Sequence, residues 1–78
     1  MRRNTTVTVE IGRVDDNGVK KCLLSKGATV EELIDQSGLF VDDDKETIIA
    51  KSTGEVVDFE DELVDGETYM IAPEVKSA

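Results

Sequence analysis

The sequence predicts an α+β fold in which one short amphipathic helix packs on one mixed β-sheet. Three observations carry this expectation. Thr5 to Ile11 alternates polar Thr6, Thr8 and Glu10 with apolar Val7, Val9 and Ile11, the period of a strand with one wet and one buried face. Thr29-Val30-Glu31-Glu32 reads as a capping box that opens a helix. Strand-like runs flank that helix on both sides, giving the order β-β-α-β-β with a further short strand near the end.

Each element follows from local chemistry. Asp15-Asp16-Asn17-Gly18 supplies the positive-φ residues of a hairpin turn, and Val19 to Leu24 returns as the partner strand. Ser25-Lys26-Gly27-Ala28 breaks that strand. In the capping box the Thr29 hydroxyl accepts the Glu32 amide while the Glu32 carboxylate reaches back. Val30, Leu33 and Ile34 share one stripe, Glu31, Glu32 and Asp35 face water, and Gly38 ends the helix after about two and a half turns.

Leu39-Phe40-Val41 is expected to fold beneath the helix end, and 42–46 forms an exposed acidic connector to a strand at Thr47 to Lys51. Ser52-Thr53-Gly54-Glu55 turns into a short strand at Val56 to Asp58. A compact loop from Phe59 to Val64 then points Phe59 and Leu63 inward. Asp65-Gly66 makes the last turn before a strand at Thr68 to Ala72. No repeat or linker divides the chain, so residues 1–78 read as one domain with 73–78 as a flexible tail. The expected core is Val7, Val9, Ile11, Leu24, Val30, Leu33, Ile34, Ile48, Leu63, Tyr69 and Ile71.

Composition narrows the function. With 18 acidic against 9 basic side chains the net charge is −9, which disfavours nucleic acid and anionic membranes as partners. The Arg2-Arg3 pair is too short to outweigh that field. No apolar run reaches the length of a secretory h-region or a membrane span, and a lone Cys22 forms no internal disulfide, so a reducing, cytoplasmic setting is expected.

Catalysis finds no residues to carry it. There is no histidine, and Cys22, in step with Leu24 along its strand, reads as a small core hydrophobe. Asp42-Asp43-Asp44 with Glu46 lacks the glycine and the distal glutamate of a calcium loop, and Asp15-Asp16-Asn17-Gly18 fails the same test. The glycines are dispersed one per turn, so no phosphate-cradling loop forms. No catalytic residue, metal or cofactor is expected.

The pieces Lys26-Gly27-Ala28-Thr29-Val30-Glu31-Glu32-Leu33, Ser52-Thr53-Gly54-Glu55-Val56-Val57, Leu63-Val64-Asp65-Gly66-Glu67 and Pro73-Glu74-Val75 span nearly the whole chain. In that order and spacing they resemble the β-grasp family of ubiquitin-like proteins. The resemblance is strongest to the sulfur carriers: the thiamine-pathway carrier and the small subunit of molybdopterin synthase. The middle pieces are shared with TGS regulatory domains.

The resemblance implies that the strands carrying Ile49 and Met70 are neighbours. With Ile48, Ala50, Tyr69 and Ile71 turned to the helix, Ile49 and Met70 would then meet on the open sheet face near Thr8 and Ala72, where family members dock partners. It also implies a C-terminal Gly-Gly whose carboxylate an activating enzyme adenylates. Here Val75-Lys76 precedes Ser77-Ala78 in that place.

Three readings therefore stand open. The leading one is a non-catalytic module that binds a protein partner through Thr8, Ile49, Met70, Ala72 and the tail Val75, Lys76, Ser77 and Ala78. The second is a true sulfur carrier or protein modifier activated at its C-terminal carboxylate. The third is a structural subunit of a larger assembly.

Overall fold

The elements run β1 (Thr6–Arg13), β2 (Val19–Ser25), α1 (Val30–Ser37), β3 (Glu46–Ala50), β4 (Glu55–Val57) and β5 (Thr68–Pro73) in a computed structural model that describes residues 5–14, 18–42 and 44–74. The strands form one sheet in the order β2-β1-β5-β3-β4. The pairs β1–β2, β3–β4 and β3–β5 are antiparallel, while β1 and β5 run parallel at the centre. This is the mixed sheet with one helix that the sequence predicts, with strand limits moved by a residue or two.

Alternation decides what lies beneath the helix. Val7, Val9 and Ile11 of β1, Cys22 and Leu24 of β2, Ile48 and Ala50 of β3, and Tyr69 and Ile71 of β5 all turn toward α1, and all are buried. Val30 and Leu33 meet them from the helix with no exposed surface. Ile34, expected in the core, is only partly buried and packs against its margin, because it sits at the edge of the helical stripe. Phe40 is a clearer correction: it is 74% exposed rather than folded under the helix, while Leu39 and Val41 beside it are half-buried.

The helix start is held mainly by backbone. Thr29 Oγ1 accepts the Glu32 N–H at 3.5 Å, a long bond, and Val30 and Glu31 donate their N–H groups to the carbonyls of Asp61 and Phe59 at 3.0 Å each. Leu63 N–H closes the clamp on Ala28 O at 2.9 Å. The 59–63 loop thereby takes up amide groups that every helix start leaves without an internal partner. At the other end Gly38 adopts φ 77° and donates to Ile34 O, and Lys20 Nζ donates to Ser37 O at 2.8 Å. Ser37, buried although polar, is satisfied by donating to Ile34 O and accepting from Leu39 N–H.

Gly12 is the one glycine inside a strand. A Cβ there would lie 2.6 Å from the Gly18 carbonyl oxygen and 2.9 Å from Val19 Cγ1, so the close crossing of the first hairpin requires its absence. Gly12→Ala is expected to destabilise the fold by about 1–3 kcal/mol, since a backbone oxygen must move. Leu33→Ala is expected to cost about 2–5 kcal/mol through the cavity it leaves. Urea unfolding of each variant measures both losses; an unchanged midpoint would contradict the corresponding assignment.

Candidate functional site

The sheet face turned away from α1 carries a row of apolar side chains in cross-strand register. Val19 pairs with Gly12, Gly12 with Met70, Met70 with Ile49, and Ile49 with Val56, so the row crosses all five strands. Val19 and Val56 at its ends are 49% and 63% exposed, and Met70 and Ile49 at its middle are half-buried by their neighbours. Gly12 contributes no side chain, and Val19 lies over it. The next row in register is polar: Lys21, Glu10, Thr68 and Lys51, in which the Thr68 hydroxyl donates to Glu10 Oε1 at 3.1 Å.

Of the residues expected at this site, Ile49 and Met70 are brought together as direct partners. Thr8 is not beside them. It pairs with Leu23 and stands four residues before Gly12 on β1, about 13 Å along the strand at strand rise. Its backbone is committed to the turn before β5, donating to Asp65 Oδ1 and accepting from Gly66 N–H, both at 2.8 Å. Ala72 is on the correct strand, opposite Thr47, but only 8% exposed, because its single methyl group lies low in a central strand. Val75, Lys76, Ser77 and Ala78 lie outside the described residues, as does Asp43 of the acidic connector.

Val19 and Val56 were missed by sequence reasoning. Their parity was legible, but their place in the row depends on which strands are neighbours and in what register, and a single sequence does not fix long-range pairing. Cys22 is buried opposite Val9 and free, as a core thiol should be. Asp42 organises a turn: its carbonyl accepts Lys45 and Glu46 N–H, and its carboxylate accepts Asp44 N–H at 3.1 Å. Among the described residues no group of three or more His, Cys, Asp or Glu is placed to hold a metal ion, and no helix is long and apolar enough to cross a membrane.

On the helix side, one polar link closes the end of the core. Arg13, following Ile11 on the inward face of β1, ion-pairs with Glu46 and donates to the Phe40 carbonyl. Glu46 also accepts Asp42 N–H at 3.1 Å. The Asp42 amide first, and the Arg13 guanidinium second, hold the Glu46 carboxyl below the usual carboxylate range. Glu67 is held low chiefly by the Ser52 hydroxyl, which ties the β3–β4 turn to the start of β5. Burial pushes the Tyr69 phenol up, and its oxygen accepts Val64 N–H at 3.1 Å.

This arrangement, a helix gripped by a mixed sheet whose first and last strands are parallel neighbours, is the β-grasp, ubiquitin-like fold. Solved structures agree. The chain is similar to the solution structure of the N-terminal ubiquitin-like domain in the 4931431F19Rik protein, with a TM-score of 0.60 and 19% identity, over 97% of this chain and 82% of that one. It is also similar to Caldiarchaeum subterraneum ubiquitin, with a TM-score of 0.59 and 12% identity, over 94% of this chain and 99% of that one. By sequence, no family model and no curated protein matches. At these identities the likeness defines the fold.

The depressed Glu46 sets a direction for acid stability. A carboxyl held lower in the folded than in the unfolded chain stabilises the fold above the ordinary glutamate value, about 4.3, and that contribution is lost as pH falls through the folded value. Glu46→Gln should therefore lower the urea midpoint at pH 7, and the gap to the parent protein should narrow below about pH 4. An equal gap at pH 7 and pH 3 would show that the Glu46 charge contributes nothing to folding.

Proposed function

We propose that this chain is a non-catalytic, ubiquitin-like module that binds a protein partner on the open face of its sheet. The row Val19, Met70, Ile49 and Val56 supports this reading, because it places four apolar side chains in line on a face that no second layer covers among the described residues. Isolated exposed apolar residues are ordinary, whereas a contiguous stripe bordered by polar groups has the core-and-rim composition of an interface. Lys21, Glu10, Thr68 and Lys51 form one such border. Docking on this face leaves the helix contacts untouched, so binding needs no rearrangement of the core.

Met70→Asp and Ile49→Asp each put a charge into the middle of the row. Both proteins should fold, with melting temperatures close to the parent's, and should lose the partner at least tenfold in affinity, about 1.4 kcal/mol or more. Affinity capture from the source cells, followed by titration of the captured protein against each variant, makes the comparison. Val64→Ser is the control, since Val64 is 61% exposed but lies off the sheet. Equal capture by the parent and both Asp variants would remove the open face from the function, and deletion of 75–78 measures the tail's share separately.

A further inference from the structure

A second surface lies on the helix side of the molecule, away from the apolar row. One flank of α1 from its first turn onward, the α1–β3 connection and the loop after β4 line a groove of ≈ 690 Å³. Ile34, Phe40 and Phe59 give it an apolar floor, and Glu31, Glu32 and Asp35 stand along the helix at its rim. Both phenylalanines of the chain are here, and Phe40 is 74% exposed, the most open of the large apolar side chains described. Arg13 fixes the Phe40 backbone by its bond to the carbonyl, so the exposed ring stands on an anchored main chain.

The charge around the groove has one sign. No lysine or arginine lines it, and among the described residues Glu31, Glu32 and Asp35 have no ion-pair partner. We propose that this groove binds a basic amphipathic peptide segment of a partner protein, whose apolar side chains cover Phe40, Phe59 and Ile34 while its lysines or arginines meet the three carboxylates. An acidic or neutral apolar segment would leave those carboxylates poorly solvated beside it, whereas a basic one exchanges water for opposite charge. Helix-side and sheet-side partners would then be distinguished by chemistry and could bind at once. The inference stands apart from the open-face reading, since it uses none of the same side chains.

The test uses a synthetic peptide with leucine and lysine at amphipathic helical spacing, and a counterpart with every lysine replaced by glutamate. Titrated into the isotopically labelled full chain, the lysine peptide should shift amide resonances around 34, 40 and 59, and the glutamate peptide should not bind. Phe40→Ser should weaken binding at least tenfold, and Glu31→Gln with Asp35→Gln should weaken it and flatten its dependence on salt. Ile49→Asp should leave it unchanged. Retained affinity in both the Phe40→Ser and the double Gln variants would overturn the proposal, as would shifts confined to the open face. So would self-association of the chain, followed by sedimentation, that Phe40→Ser abolishes, because a second copy would then be the occupant.

Discussion

The parallel pairing of β1 with β5 is the constraint on which the other contacts depend. It joins residues 58 positions apart, from Glu10 with Thr68 to Arg13 with Ile71, and places the first and last strands at the centre of the sheet. Ile11 and Ile71, both with no exposed surface, lie under the helix only because of that pairing. β3 joins the sheet through β5, and β4 through β3, so neither has a place until β5 is seated. Such long closures are slow relative to hairpin or helix formation, which makes this contact the expected late step of folding. The Asp65 carboxylate on Thr8 N–H fixes the register at the point where β5 begins.

Two polar devices then close the ends of the core. At the start of the helix, the 59–63 loop supplies carbonyls for Val30 and Glu31; at its finish, Lys20, Ser37 and Gly38 satisfy the last turn. Past that turn the Arg13–Glu46 pair carries the chain back into β3 and holds the Phe40 carbonyl. Gln36 Nε2 donates to Leu23 O at 3.0 Å, tying the helix to the edge strand β2. The fold has few aromatic residues to fill space, and these bonds hold the aliphatic core to one arrangement.

Local periodicity made most of this fold legible. The alternation from Thr6 to Ile11, the Val30–Leu33 stripe, the Gly38 stop and the inward Leu63 each follow from spacing between near neighbours, and each is where the pattern places it. Phe40 was not legible, because whether a residue after a helix turns in or out depends on the contact that holds its backbone, here Arg13 from a distant strand. The capping box was half right for the same reason: Thr29 does accept Glu32 N–H, but a loop thirty residues onward does most of the capping. At the candidate site, parity gave Ile49 and Met70 their direction, while register made them partners and put Thr8 elsewhere.

Parity also explains why the two faces differ so sharply in chemistry. Side chains alternate along a strand with a period of two, so a one-residue slip of β5 would send Tyr69 and Ile71 outward and bring Met70 and Ala72 under the helix. Burial of the odd-numbered set is what keeps Met70 on the open face, and the same rule acting on β3 keeps Ile49 there. Core packing thus fixes which side chains face outward but not their chemistry, which is apolar along this row and polar one step away at Lys21, Glu10, Thr68 and Lys51. On the helix side, Glu31 and Glu32 in the first turn of α1 each repel Asp35 one turn further on, a cost that falls as salt rises. A surface that retains such repulsion beside two exposed or half-exposed phenylalanine rings is stabilised by any cationic, apolar contact that covers it, and that is the physical sense in which the molecule has two unlike faces rather than one sticky side.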